Sequence, residues 1–146
     1  MIFVTGGGPG RDDVLPFLET NYRVRKDVAG RAIAGLSMGG GQSLTIGLNH
    51  LELFGWVGGF SSFVRDPENT VGKALADPQA TNKKLKLLWI ACGKEDRLME
   101  NSRQFVEVLK KNGVRYDFRE IEGNHSWPVW RRYLADFAPL LFNGSN

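Results

Sequence analysis

Ser37 lies at the centre of the pattern Gly35-Leu36-Ser37-Met38-Gly39, which is typical of an activated serine nucleophile. A serine hydroxyl attacks a carbonyl carbon only when it is exposed and held against a base. The residues before the pattern are apolar and strand-like, and those after it are helix-like, so Ser37 falls on a sharp strand-to-helix turn. Because Met38 lies in the first helical turn, its N–H is placed to donate to an oxyanion.

The serine needs a base, and the chain contains two histidines, His50 and His125. His50 lies at the far end of the helix that starts at the serine, roughly 18 Å away at about 1.5 Å per residue. It is therefore predicted to be a surface or capping residue. His125 follows the last predicted strand and would project over the same sheet edge as Ser37. The sequence therefore predicts His125 as the base.

A carboxylate must hold the second nitrogen of the histidine ring to fix its tautomer. Asp96 directly follows the most apolar predicted strand and gives the chain order serine, acid, histidine. We predict Asp96 as this acid. Glu95 is its main rival and is interpreted as a solvated loop charge, and the remaining acidic candidates, Asp66 and Asp77, are interpreted as surface turn residues.

Other kinds of site are poorly supported by the residue types. Two histidines, one cysteine and no acidic cluster predict no catalytic metal and no cofactor. The glycine-rich run over 6–10 lacks the spacing and the lysine of a phosphate-binding loop, so we interpret it as a turn. Cys92 ends an apolar run and is predicted to be a buried thiol. Trp127 is close enough to His125 in sequence to form a wall of a substrate pocket.

These residues need a scaffold, and strand-like and helix-like segments alternate along the whole chain. This alternation is typical of an α/β domain with a mostly parallel sheet, and a length of 146 residues predicts a single domain over 1–146. The polar stretch over 61–84 is predicted to cross the upper edge of the sheet. We predict about five strands, over 2–5, 31–36, 54–60, 85–92 and 115–121. Four helices are predicted, over about 12–22, 38–49, 100–112 and after residue 126.

Charge and hydropathy narrow the class of partner. The formal net charge of +3 comes from 19 basic and 16 acidic residues without a dense basic stripe, which argues against nucleic-acid binding. The longest apolar run is too short to cross a bilayer, so no membrane association is expected. The first residues do not have the pattern of a signal peptide. Both a cytoplasmic and a secreted location remain open.

Three motifs occur in order: RAIAGLSMGGGQ over 31–42, GKED over 93–96 and GNHSWPVW over 123–130. Together they resemble the esterase-D-like family of α/β hydrolases, and most closely its feruloyl-esterase-like members. The resemblance runs from about Asp13 to the C-terminus. It implies a compact α/β-hydrolase fold with Ser37 as nucleophile, Asp96 as acid, His125 as base and the Met38 amide in the oxyanion hole.

The same resemblance implies an activity. It predicts a carboxylic ester hydrolase that forms an acyl-enzyme and accepts short-chain or aromatic acyl esters, including feruloyl-type esters. An acyltransferase would use the same three residues and pass the acyl group to an alcohol. A non-catalytic fragment that acts as a binding module is a third alternative.

The segment before the shared region departs from the family pattern. Family members have several more strands there, and a loop that supplies a second oxyanion amide. Here the turn over 6–8 makes Gly7 the candidate for that donor. The alternatives are that this turn replaces the loop, that a partner chain covers the sheet edge, or that the chain is a shortened relative. Because uncovered strands and apolar faces favour association, we predict a homo-oligomer.

Overall fold

A computed structural model describes residues 2–5 and 11–143 of the chain. In these residues a parallel sheet has its five strands side by side in sequence order. The predicted α/β class with a largely parallel sheet is confirmed. The strands are β1 (Ile2–Thr5), β2 (Ala32–Leu36), β3 (Trp56–Phe60), β4 (Leu87–Gly93) and β5 (Asp117–Ile121).

Seven α helices connect or follow the strands in the described residues, where four were predicted. The difference lies in the segment 61–84, which folds into three short helices instead of an irregular excursion. Proline begins the first and the last of them, and the Asp77 carboxylate caps the last one by accepting a hydrogen bond from the Ala80 N–H. The helices are α1 (Arg11–Asn21), α2 (Ser37–Asn49), α3 (Pro67–Thr70), α4 (Gly72–Ala76), α5 (Pro78–Lys84), α6 (Met99–Lys111) and α7 (Trp127–Phe137).

The two faces of the sheet are covered unequally. On one face, Ile33, Val57 and Ile90 pack against α1, α2, α4 and α6 in the larger apolar cluster. On the other face, Trp56 and Trp89 pack against α7 in a smaller, aromatic-rich cluster. None of the helices in the described part of the chain is long and apolar enough to cross a membrane.

The parallel register brings several loops to one edge of the sheet. Leu36 at the end of β2 pairs with Phe60 at the end of β3, and Gly93 at the end of β4 pairs with Ile121 at the end of β5. The residues directly after these strands therefore meet at the carboxyl edge, where ligands bind in open α/β sheets.

The glycines at the start of α2 have a packing role. A β-carbon on Gly41 would overlap the backbone carbonyl oxygen of Phe63, and one on Gly40 would overlap the side chain of Ser62. The loop after β3 lies directly against the first turn of α2, so only glycine fits there. This contact explains a glycine run that helix propensity disfavours.

Candidate active site

Ser37 is the first residue of α2 and directly follows β2. Its backbone has a φ of +53°, in the left-handed region that residues with a β-carbon rarely adopt. Such strain is found mostly at functional sites, where the surrounding structure maintains it. The strained turn directs the serine hydroxyl toward the loop that follows β5.

His125 lies in that loop, and its imidazole ring contacts both other predicted residues. Its Nε2 is 2.9 Å from the Ser37 Oγ. Its Nδ1 is 2.9 Å from Oδ2 and 3.1 Å from Oδ1 of Asp96. Because a carboxylate only accepts hydrogen bonds, Nδ1 carries the proton and Nε2 is left to accept the Ser37 hydroxyl. The structure therefore brings the three predicted side chains into one hydrogen-bonded row.

Asp96 lies in the turn after β4, and its side chain is fully buried. The Leu98 N–H donates to Asp96 Oδ1 over 2.8 Å, which fixes the carboxylate plane toward His125. The rival acid, Glu95, is exposed and accepts a hydrogen bond from the Gly123 N–H. Glu95 thus binds the backbone of the histidine loop, a contact that its interpretation as a solvated charge missed.

The environment of Asp96 favours its ionised form. Burial raises the pKa of Asp96, but the nearby Ser61 hydroxyl and the hydrogen bonds with the Leu98 N–H and the His125 ring outweigh burial and lower the pKa below its ordinary value of 3.8. A charged carboxylate is therefore available to orient the imidazole ring at neutral pH.

Of the two predicted oxyanion donors, Met38 lies within the described residues and Gly7 does not. Met38 is the second residue of α2, where backbone N–H groups have no acceptor within the helix. The Met38 N–H thus lies beside Ser37 and is free within the helix to donate a hydrogen bond to a negatively charged oxygen. Gly7 lies outside the described residues, and its role as a second donor stays a prediction.

A cleft of about 510 Å³ opens beside Ser37. Its walls come from the first three turns of α2, from the segment that follows β3 and from the loop after β4. Apolar side chains make most of its surface, and Arg65 and Thr70 add polar groups. The apolar lining includes Met38, Ile46, Phe63 and Leu98.

Trp127 does not line this cleft. It lies at the start of α7, where the residue is 66% exposed and its ring meets Trp130 edge-on at 5.4 Å. Both tryptophans instead line a separate apolar cavity of about 140 Å³ together with Leu36 and Phe60. A substrate contact by Trp127 stays a prediction.

Two residues beside the row were not identified from the sequence. Ser61 is the first residue after β3, and it is fully buried between the positions of Ser37 and Asp96. Its hydroxyl accepts a hydrogen bond of 3.0 Å from the indole N–H of Trp130, whose ring meets His125 edge-on at 4.9 Å. The position directly after a central strand was the available signal for Ser61.

The remaining candidates lie away from the row. His50 caps the C-terminus of α2 and its Nδ1 is 2.9 Å from Glu52, which agrees with its predicted capping role. Asp66 and Asp77 precede short helices of the segment 61–84. Cys92 is fully buried, as predicted, and burial raises the pKa of its thiol to about 11. Among the described residues, no cluster of histidine, cysteine and acidic side chains could hold a metal ion.

Comparison with known proteins points to one family. The sequence pattern of the putative esterase family matches residues 11–141. An endo-1,4-beta-xylanase/feruloyl esterase from Xylanibacter ruminicola is 33% identical over 132 residues, which are 90% of this chain and 17% of that protein.

Comparison with solved structures also finds esterases. A ferulic acid esterase is 28% identical with a TM-score of 0.75, over 89% of this chain and 58% of its own. A ferulic acid esterase from Anaeromyces mucronatus in complex with ferulic acid is 21% identical with a TM-score of 0.79 over 92% of this chain and 53% of its own, a likeness in fold. The chain thus spans little more than half of these esterase structures.

Proposed function

This chain belongs to the putative esterase family, and on that premise we propose that it is a serine esterase that hydrolyses carboxylic esters through an acyl-enzyme on Ser37. The observation that carries the proposal is the unbroken row of hydrogen bonds from Ser37 Oγ through the His125 ring to the Asp96 carboxylate. Serine, histidine and acid in this arrangement form a nucleophile, its base and the group that orients the base.

The first half of the reaction forms the acyl-enzyme. Ser37 Oγ attacks the ester carbonyl carbon while its proton passes to His125 Nε2. The carbonyl oxygen becomes an oxyanion, which accepts a hydrogen bond from the Met38 N–H. When the tetrahedral intermediate collapses, the bond to the alcohol oxygen breaks and His125 returns the proton to that oxygen. The alcohol leaves and the acyl group remains on Ser37.

The second half releases the acid. Water attacks the acyl carbonyl and gives a proton to His125, and Ser37 leaves and takes that proton back. Asp96 stays ionised throughout and stabilises the charged imidazole ring in both halves. A catalytic metal has no part in this sequence of steps.

The cleft beside Ser37 supports an apolar acyl group as part of the substrate. Its wall of Met38, Ile46, Phe63 and Leu98 suits a short aliphatic chain or an aromatic ring. Because similar proteins are feruloyl esterases, we propose an aromatic acyl ester of the feruloyl type as a substrate. Methyl ferulate and short-chain esters are therefore the first substrates to compare.

Hydrolysis of p-nitrophenyl acetate, p-nitrophenyl butyrate and methyl ferulate by the purified chain tests this proposal. Ser37→Ala is the matched variant, and circular dichroism verifies that both proteins are folded. We expect hydrolysis that the variant loses. A folded wild-type chain without activity on any of the three esters would favour a binding module instead.

A further inference from the structure

We infer that the cleft beside Ser37 selects an acyl group with an apolar body and a carboxylate at its distal end, and that the Arg65 guanidinium binds this carboxylate. The inference rests on the proposed function, because it names the substrate class of that same site. Arg65 is thereby assigned as a specificity-determining residue.

The segment that follows β3 covers α2 along most of its length. Near the start of α2, the Phe63 carbonyl oxygen lies where a β-carbon on Gly41 would be. At the end of α2, Asn49 Nδ2 donates a hydrogen bond of 2.8 Å to the Thr70 carbonyl oxygen. Gly41 and Asn49 are about 12 Å apart along the helix axis, at about 1.5 Å per residue. The cleft between this segment and α2 therefore runs along the helix, away from the nucleophile.

Arg65 lies toward the end of the cleft that is remote from Ser37. Its carbonyl oxygen accepts a hydrogen bond from the hydroxyl of Thr70, the residue that is bound to the end of α2. Both residues line the cleft, together with Thr45 and Ile46, which lie about 12 Å or more beyond Ser37 along α2. An acyl group on Ser37 that follows the cleft therefore extends toward Arg65.

The charge in the cleft has one sign. Among the described residues that line it, Arg65 is the one charged side chain, and the others are apolar side chains, glycine or uncharged polar groups. An apolar acyl chain would pack against the walls but would leave the guanidinium without an acceptor. An acyl chain that ends in a carboxylate matches both the walls and the charge.

The acidic residues nearest to Arg65 in sequence have other partners. Asp66 Oδ2 accepts a hydrogen bond of 2.7 Å from Asn69 Nδ2. Glu68 Oε1 lies 3.7 Å from Lys111 Nζ. Arg65 is exposed, and no acidic side chain pairs with it within the part of the chain that the structure describes. Its guanidinium is therefore available to a ligand.

The chemistry of arginine favours a carboxylate as that ligand. A guanidinium keeps its charge and is planar, and it presents parallel N–H donors that match the two oxygens of a carboxylate. Because Arg65 is exposed, water and salt screen the attraction, and we expect it to change the relative rates of two esters by roughly fivefold.

A matched pair of esters tests the inference. Mono-p-nitrophenyl adipate carries a carboxylate at its distal end, and p-nitrophenyl hexanoate has the same number of acyl carbons and no charge. We expect the ratio of their kcat/KM values, adipate over hexanoate, to fall roughly fivefold in Arg65→Gln. Arg65→Lys keeps the charge and should retain most of the wild-type ratio. A loss that affects both esters equally, such as partial unfolding, cancels in this ratio.

Arg131→Gln is the matched control. Arg131 is also exposed and without an acidic partner among the described residues, but it lines the separate apolar cavity. This variant changes the net charge of the chain by the same amount as Arg65→Gln. We expect it to keep the wild-type ratio of adipate to hexanoate hydrolysis.

A binding measurement gives a second readout that does not need hydrolysis. Ligand-observed NMR titrations of Ser37→Ala compare monomethyl adipate with methyl hexanoate. Adding Arg65→Gln to Ser37→Ala should raise the Kd of monomethyl adipate roughly fivefold relative to that of methyl hexanoate.

The outcomes separate the two proposals. Activity that survives Ser37→Ala would overturn the proposed function, and the binding titration would still decide the role of Arg65. Loss of activity in Ser37→Ala, together with an unchanged ester ratio in folded Arg65→Gln, would overturn the inference alone. An equal fall of the ratio in Arg131→Gln would overturn it too, because net charge would then be the cause. The same holds if Arg65→Gln leaves the relative Kd of the two ligands unchanged or if monomethyl adipate does not bind.

Discussion

Asp96 and His125 are 29 residues apart in the sequence, yet Asp96 Oδ2 lies 2.9 Å from His125 Nδ1 and the carboxylate is fully buried. This contact orients the base that Ser37 requires. Asp96→Asn keeps the shape of the side chain but allows the wrong imidazole tautomer. We expect kcat to fall by about 10³–10⁴-fold with KM little changed, measured on p-nitrophenyl acetate.

Glu95→Gln is the matched control for that experiment. Glu95 is exposed and accepts a hydrogen bond from the Gly123 N–H, and a glutamine oxygen can accept the same bond. We expect kcat close to that of the wild type. A larger loss in Glu95→Gln than in Asp96→Asn would contradict the assignment of the acid.

The lowered pKa of Asp96 predicts a stability difference that depends on pH. The unfolded chain has the ordinary value of 3.8 and the folded chain a lower one, so the unfolded state binds more protons between the two. The stabilising contribution of Asp96 is therefore fully present above that ordinary value and is lost as the pH falls through the folded pKa. Urea unfolding of the wild type and Asp96→Asn should give free energies whose difference shrinks in acid. A free-energy difference that stays constant from pH 7 down to pH 2 would contradict the lowered pKa of Asp96 in the folded chain.

The contact between α2 and the loop after β3 predicts the effect of a single methyl group. In Gly41→Ala the new β-carbon meets the rigid carbonyl of Phe63, so we expect a loss of about 1–3 kcal/mol in the free energy of unfolding. A β-carbon on Gly72 meets nothing within 4 Å, and Gly72→Ala should be neutral or stabilise by up to about 1 kcal/mol. Equal unfolding free energies for the two variants would show that the loop does not lie on α2.

The predicted homo-oligomer can be tested at the exposed apolar residues of α7. Leu134 is 46% exposed and lines the apolar cavity beside Trp127. Light scattering after size-exclusion chromatography should give a mass above the 16.3 kDa of one chain, and Leu134→Lys should lower it. Phe17→Lys, at another exposed apolar residue, is the control and should leave the mass unchanged. A monomeric wild-type chain would refute the prediction.

Much of this fold could be predicted because hydrophobic periodicity reports directly on burial. The four longer helices and the α/β alternation follow from it. Residue type adds to this, since a glycine just after a helix is typical of a left-handed cap and Gly113, shortly after α6, has a φ of +73°. Strand starts were less predictable. Leu85 is apolar and buried, but it is the C-cap residue that follows α5, and β4 begins only at Leu87. Apolar character alone does not distinguish a helix end from the first residue of a strand.

The site was predictable to the extent that its residues have distinctive types. Ser37 and His125 could be paired because the chain offers one G-x-S-x-G pattern and one histidine near the sheet edge. Ser61 could not be found in this way, since serine is common and only the structure shows its burial, its left-handed backbone and its hydrogen bond from Trp130. Such features arise only when the strands are assembled.

The most direct test of the account looks for the acyl group itself. The chain is mixed with p-nitrophenyl acetate, quenched in acid within the first turnover and digested, and the peptides are identified by mass spectrometry. We predict an acetyl group on the peptide that contains Ser37, absent from the Ser37→Ala variant. Acetylation confined to other residues, with hydrolysis unchanged in Ser37→Ala, would contradict the proposed mechanism.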